Sequence, residues 1–143
     1  MRDNNCIFCK IINKDLESYV IYEDKLVICF LDNDPINEGH ILIVPKNHYC
    51  DVDEVDDESL ERITRLSKIL VGVFKDVFNP DGYTIMQNGG EFNEIGHYHM
   101  HIFPRYREDE FSWVCKEVER KHTFDHIKNI VENNLEKALY KNK

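Results

Sequence analysis

One run of the sequence, residues 97–103, reads His-Tyr-His-Met-His-Ile-Phe. Because successive side chains of a strand point to opposite faces, His97, His99 and His101 would share one face and the apolar residues between them the other. Three imidazoles on one face are costly for stability alone, since each buried ring needs polar partners. The run therefore predicts a strand with one face in a core and the other facing a cleft. There imidazoles can transfer protons, attack electrophiles or bind metal.

Length and composition indicate a single domain with an ordinary core, since the chain has 143 residues, 42% of them hydrophobic. Five cysteines, an odd number, together with the lack of a secretory signal at the N-terminus, predict reduced thiols and a cytoplasmic protein. The formal net charge of −9 disfavours nonspecific nucleic-acid binding, and no apolar run is long enough to span a bilayer. We expect neither nucleic acid nor a membrane as a partner.

Several segments have the composition of β-strands. Residues 19–22 and 25–31 are rich in β-branched and aromatic residues and flank Glu23-Asp24, which predicts a hairpin. Residues 39–44 form a third predicted strand that Pro45 stops. Residues 83–87 form a fourth, and the histidine run a fifth.

Two segments have helical periodicity. The first carries apolar residues at helical spacing from Leu60 to Val77, with Asp56 or Asp57 as its cap and its end at Asn79. The second covers about residues 123–140. Strands joined by short turns, with helices set apart from them, predict an α+β fold. It would comprise an antiparallel sheet of about five strands, one long helix and a C-terminal helix. We expect one domain over residues 1–143, with its core at about 6–113.

Cys6 and Cys9 form a Cys-x-x-Cys pair that is ambiguous when taken alone. It is compatible with a zinc site, a redox pair or two ordinary cysteines. A redox pair usually opens a helix that follows a strand, and no predicted strand precedes this one. A structural zinc site needs four ligands.

Four further segments accompany the histidine run: Cys-Ile-Phe-Cys-Lys-Ile at 6–11, Phe-Leu-Asp at 30–32, Gly-His-Ile-Leu-Ile-Val-Pro-Lys at 39–46, and Asn88. Together these segments resemble the histidine triad family, whose motif is His-φ-His-φ-His-φ-φ with φ apolar. The resemblance covers most of the chain, from Cys6 to about Trp113. It implies the histidine triad fold. It also implies a hydrolase or transferase that cleaves bonds to the α-phosphorus of a nucleotide, commonly an adenylate.

The resemblance implies catalytic roles for three histidines. His99, the middle histidine of the motif, would be the nucleophile and would form a nucleotidyl-histidine that water then hydrolyses. His101 would donate to a nonbridging α-phosphate oxygen, and His40 would contact the α-phosphate or the leaving group. By itself, His40 reads as a strand histidine with satisfied hydrogen bonds.

The resemblance also implies a set of nucleotide-binding residues. Asp32 would accept both ribose hydroxyls, although Asp32-Asn33-Asp34-Pro35 is equally a good turn sequence. The remaining positions would contact the base, the phosphates or the leaving group: Ile7, Phe8, Asn33, Asn88, Asn93, His99 and His101.

The loop before the histidines departs from the common family pattern Gly-Gln-x-Val-x-His. Here residues 92–97 read Phe-Asn-Glu-Ile-Gly-His. Phe92 replaces a glycine, and Glu94 stands where relatives often carry a small hydroxyl residue. We expect these changes to act on the leaving group and the rate more than on the nucleophile.

The resemblance further implies a structural Zn²⁺ held by Cys6, Cys9, His48 and His97. An alternative of a different functional class is a zinc-handling protein. In that case metal would bind His99 and His101 as well as Cys6 and Cys9.

We therefore expect a cytoplasmic, homodimeric hydrolase of small purine nucleotide derivatives, of the adenosine phosphoramidase type. A dinucleoside polyphosphate hydrolase and a low-turnover nucleotide sensor remain the alternatives.

Overall fold

The computed structural model describes residues 5–117 and 119–141. The chain divides into two compact units, one that ends at Phe111 and one that begins at Ser112. The boundary lies close to the predicted end of the core near residue 113. That residues 1–143 form one domain stays a prediction.

A five-stranded antiparallel sheet forms the centre of the first unit, which confirms the predicted fold class. Its strand order is β1-β2-β3-β5-β4. The strands are β1 (Val20–Glu23), β2 (Val27–Leu31), β3 (Ile41–Pro45), β4 (Gly82–Met86) and β5 (Met100–Arg105). The histidine run therefore leads into an interior strand and not an edge strand.

β5 begins three residues later than the histidine run does. The ladder between β3 and β5 stops at the pair Ile43–Met100, and continuing its register would place Tyr98 opposite Pro45. Because proline has no amide N–H, the ladder cannot extend through it. The N–H of Tyr98 donates instead to the carbonyl oxygen of Tyr49, at 2.6 Å.

The described residues form three α-helices: α1 (Ile7–Ile12) and α2 (Asp57–Phe78) in the first unit, and α3 (Phe124–Lys141) in the second. Asp56 is the N-cap of α2, since its carboxylate accepts from the N–H of Ser59 at 2.8 Å. Asn79 ends α2 in the left-handed conformation with φ of 44°. None of the described helices is both long and apolar enough to cross a membrane.

The adjacent strands β2 and β3 are buried on both faces. Val27 and Cys29 pack with Ile63 and Phe74 in a cluster under α2. The alternate residues of β2 pack on the other face, against α1 and its N-cap. This second cluster comprises Cys6, Phe8, Cys9, Ile11, Ile12, Ile28, Phe30, Leu42 and Val44. Burial on two faces explains why the strands read as nearly continuous apolar runs. This arrangement also places Phe8 of α1 against His97 and His99.

Candidate functional site

A cavity of about 420 Å³ opens on the face of the sheet that α1 covers. Seven of the eight predicted nucleotide-binding residues line it: Ile7, Phe8, Asp32, Asn33, Asn88, His99 and His101. Leu16 and Ser18, which follow α1, also line it and were missed, because they belong to no recognisable motif. The cavity therefore brings together residues from the two ends of the first unit.

His99 is held in one tautomer by the backbone. Its Nδ1 lies 2.7 Å from the carbonyl oxygen of His97, and because a carbonyl can only accept, Nδ1 carries the proton. Nε2 therefore keeps its lone pair. The ring is 6% exposed and contacts the edge of Phe8, with the centroids 5.1 Å apart. Burial lowers the pKa of His99, so the imidazole is neutral near pH 7 and chemically able to attack an electrophile.

His40 and His101 form a hydrogen-bonded pair with a defined direction. The N–H of Ile36 donates to Nδ1 of His40 at 3.2 Å, so the proton of the neutral His40 ring is on Nε2. That Nε2–H points at Nδ1 of His101, 3.0 Å away. Nε2 of His101 must then carry the other proton, which makes it a donor. Burial, followed by the neighbouring His99 and His40, lowers the pKa of His101 to about 4.

Asp32 lies beside this pair and also closes a turn. Its Oδ1 accepts from the N–H of Asp34 at 2.9 Å, while Oδ2 is 3.6 Å from Nε2 of His40 and 3.8 Å from Nδ1 of His101. Burial lowers the pKa of His40, so the imidazole is neutral near pH 7 and the contact is not an ion pair. Asp32, His40 and His101 lie close enough to hold a metal ion, but doing so would break the hydrogen bond between the rings. The hydrogen bond to Asp34 is that of a turn residue, and the role of Asp32 toward ribose stays a prediction.

Asn93 is not among the residues that line the cavity. Its amide N–H donates to the carbonyl oxygen of Cys50 at 2.8 Å, and its Oδ1 accepts from the N–H of Gly96 at 3.2 Å. Its predicted contact with a leaving group stays a prediction; in the structure Asn93 braces the loop before the histidines.

Asp51 braces the same loop and was missed by the sequence analysis. Its carboxylate accepts from the N–H of Val52 at 2.7 Å and from the N–H of Gly90 at 2.8 Å. A Cβ at Gly89 would lie 2.7 Å from this carboxylate, so any other residue there would require the Asp51 side chain to shift. Within the acidic stretch that contains Asp51, no sequence signal separates it from its neighbours.

Cys6, Cys9, His48 and His97 form a cluster whose ligand atoms all lie within 4.8 Å of one another. Cys6 is the N-cap of α1, and Cys9 lies one turn later on the same side of the helix. The Sγ atom of Cys6 is 3.4 Å from Nδ1 of His97, and the Sγ atom of Cys9 is 3.4 Å from Nδ1 of His48 and 3.8 Å from Nδ1 of His97. These four residues could hold a metal ion.

The donor set fits a tetrahedral metal ion. Bond lengths of about 2.3 Å to sulfur and 2.0 Å to nitrogen give tetrahedron edges of about 3.3–3.8 Å. Nε2 of His97 lies 2.9 Å from the carbonyl oxygen of Pro45, so it carries the proton and leaves the Nδ1 lone pair facing the sulfurs. The three sulfur–nitrogen distances of 3.4, 3.4 and 3.8 Å match these edges, and His97 already has the tautomer that the ion requires.

The model of the HIT (histidine triad) domain family matches residues 13–108 of this chain. An uncharacterized HIT-like protein of Methanocaldococcus jannaschii is 46% identical over 106 residues, which cover 73% of this chain and 81% of that protein. The adenosine 5′-monophosphoramidase HNT1 of Saccharomyces cerevisiae is 34% identical over 122 residues, which cover 82% of this chain and 75% of the yeast protein.

Solved structures give the same assignment. The crystal structure of a HIT family protein from Bacillus anthracis superposes with a TM-score of 0.82 at 33% identity, and the match covers 94% of this chain and 97% of that one. A Zn-bound histidine triad family protein from Mycobacterium smegmatis superposes with a TM-score of 0.70 at 30% identity, over 76% of this chain and 80% of that one. The histidine face, the fold and these matches lead to one conclusion: the chain belongs to the histidine triad family.

Proposed function

We propose that this protein is a hydrolase of the adenosine phosphoramidase type, which acts at the α-phosphorus of small nucleotide derivatives through a nucleotidyl-histidine intermediate. The observation that carries the proposal is the buried, neutral His99, whose Nδ1–H is bound to a carbonyl and whose Nε2 lone pair is free to react. The name of the yeast relative, an adenosine 5′-monophosphoramidase, supports the same reaction class.

In the first step, Nε2 of His99 forms a bond to the α-phosphorus and the phosphorus–nitrogen bond to the leaving amine breaks. The amine nitrogen takes a proton from solvent. As the Nε2–phosphorus bond forms, the ring gains positive charge, which the carbonyl of His97 on Nδ1–H stabilises. Nε2–H of His101 would donate to a nonbridging oxygen, and the hydrogen bond from His40 holds it in the donor tautomer.

In the second step, water attacks the phosphorus and the bond to Nε2 of His99 breaks. The products are the nucleoside monophosphate and the neutral histidine, and the proton lost by water goes to solvent. Two displacements replace one, so a fixed nucleophile of the protein carries out the more demanding attack.

The cavity suits a purine nucleotide in this proposal. Ile7 and Phe8 on α1 offer apolar surface for the base, and Asn33 follows Asp32 at the end of β2. The carboxylate of Asp32 would accept the ribose hydroxyls, and Asn88 would contact the phosphates.

We propose zinc as the metal of the cysteine–histidine cluster, held by Cys6, Cys9, His48 and His97. When bound, it would cross-link the start of α1 to the segment that carries the nucleophile. The match of donor types and distances to a tetrahedral site supports this, as does the likeness to a Zn-bound family member.

We propose a homodimer formed through α2 and β4. Ile69, Val73 and Val77 are 55%, 43% and 66% exposed, and their spacing of four places them on one face of α2. β4 is an edge strand with exposed Tyr83 and Ile85, and edge strands with apolar surface readily pair with another chain. We expect light scattering to give twice the chain mass of 17.0 kDa, and Val73→Lys to give the single mass. A monomeric wild-type protein would contradict the proposal.

We propose the cytoplasm as the location of the protein. None of the five cysteines, all of which lie in the described part of the chain, forms a disulfide, and three are buried, as expected in a reducing compartment.

The function is tested with adenosine 5′-phosphoramidate. We expect AMP and ammonia in equal amounts, and a brief reaction stopped in alkaline denaturant should leave an adenylyl group on His99, located by peptide fragmentation. An adenylyl group on His101 would overturn the nucleophile assignment. Tight AMP binding with no turnover of any nucleotide derivative would favour the sensor instead.

A further inference from the structure

The walls of the cavity carry carboxylates without balancing cations. Asp32, Asp34 and Glu94 line it, and none of the described residues that line it is a lysine or arginine. The two histidines there are hydrogen-bonded through Nδ1, His99 to the carbonyl oxygen of His97 and His101 to Nε2 of His40. A nucleotide thus brings its phosphate into a cavity whose described lining residues include three carboxylates and no lysine or arginine. Each further phosphate adds repulsion that nothing on the walls offsets.

The carboxylates approach the histidines from two sides. Asp32 and Asp34 follow β2, whereas Glu94 belongs to the loop between β4 and β5. In the strand order β1-β2-β3-β5-β4, β2 and β4 lie on opposite sides of the β3-β5 pair. If Asp32 binds the ribose, the leaving group lies on the other side of the phosphorus. It would then face the loop that carries Glu94.

The same loop offers apolar surface beside this charge. Phe92 is 78% exposed and Ile95 is 38% exposed, and both line the cavity together with Glu94. Asp51 and Asn93 fix the loop to the segment after β3, so these side chains are carried on a braced backbone. A surface of this kind complements an apolar chain that ends in a positive charge.

We infer that Glu94 determines leaving-group specificity, and that the site favours nucleoside phosphoramidates whose amine carries a second, cationic group at the end of an apolar linker. The inference rests on the proposed function. It also predicts that dinucleoside polyphosphates, whose leaving groups are polyphosphates, are poor substrates for the same nucleophile.

Three adenosine 5′-phosphoramidates of matched length test the inference: those of butylamine, 1,4-diaminobutane and 4-aminobutyrate, whose tails are neutral, cationic and anionic. We expect kcat/KM to fall in the order cationic, neutral, anionic, with about a threefold preference for the cationic over the neutral tail at low salt. This is the size typical of one exposed charge pair. The preference should shrink as salt is added.

Glu94→Gln is expected to bring the cationic-to-neutral ratio close to one. Glu91→Gln is the matched control, because Glu91 lies on the same loop but is not among the lining residues; its ratio should equal that of the wild type. Equal rates for all three tails in the wild type, or an unchanged ratio in Glu94→Gln, would overturn the inference. Failure to hydrolyse any of the three would instead contradict the proposed function.

Discussion

His99→Ala is expected to lower kcat for adenosine 5′-phosphoramidate by about 10⁴-fold, the scale on which enzymes lose activity when the nucleophile is removed. The substitution removes the atom that bonds to phosphorus. The substituted protein keeps His101, which donates to the phosphate in the proposed mechanism, and His40, which holds His101 in its donor tautomer. Their remaining stabilisation of charge cannot replace a covalent intermediate. Single-turnover measurements on purified protein should show a loss of the same size in the rate constant of the chemical step, which does not depend on product release.

His126→Ala is the matched control for this substitution. His126 lies on α3, exposed, with its ring stacked on His122 at 4.7 Å between centroids. We expect wild-type kcat from it. Thermal unfolding of both variants should show that each is folded at the assay temperature, because His99 is buried and its truncation leaves a cavity. An activity of His99→Ala within tenfold of the wild type would rule out the nucleophile assignment.

Alternation was sufficient to predict which face each residue of the histidine run occupies. Tyr98 packs in the cluster under α2 while His99 faces α1, as period-two geometry requires. The same pattern could not show where β5 begins, since that depends on Pro45, a residue of another strand that would oppose the ladder. Local periodicity carries no information about the partner strand.

The chemical state of the site also lay beyond the sequence. Which nitrogen of His99 reacts is decided by the carbonyl of His97, and which nitrogen of His101 donates is decided by His40 and the N–H of Ile36. These contacts exist only in the folded chain. The loop before the histidines shows the same limit, because Asn93 bonds to a carbonyl 43 positions away and Asp51 to an amide 39 positions away.

Protein stripped of metal by a chelator is expected to unfold about 10 °C lower than metal-replete protein. A ligand that binds only the folded state at a thousand times its Kd contributes about 4 kcal/mol, and a domain near 110 residues shifts by several degrees per kcal/mol. Cys6→Ser should lower the melting temperature similarly and should no longer respond to the chelator. Cys115→Ser, an exposed cysteine outside the cluster, serves as the control and should bind one zinc per chain and melt as the wild type does.

Loss of the metal is also expected to lower kcat, by about tenfold, because His97 belongs to both sites. Its Nδ1 faces the two sulfurs, and its carbonyl oxygen accepts from Nδ1–H of His99. Without the ion, burial raises the pKa of the Cys6 thiol, so a neutral thiol beside Nδ1 holds the imidazole less firmly than a metal bond does. When the His97 ring is held less firmly, the carbonyl oxygen of His97 also shifts, and its hydrogen bond to Nδ1–H of His99 weakens. Loosening a residue that orients a reactive group is expected to lower activity in this way. Zinc added back should restore both the melting temperature and kcat in the wild type, and only Cys6→Ser should fail to recover. Full kcat in stripped protein that has lost its zinc would show that the two sites are independent.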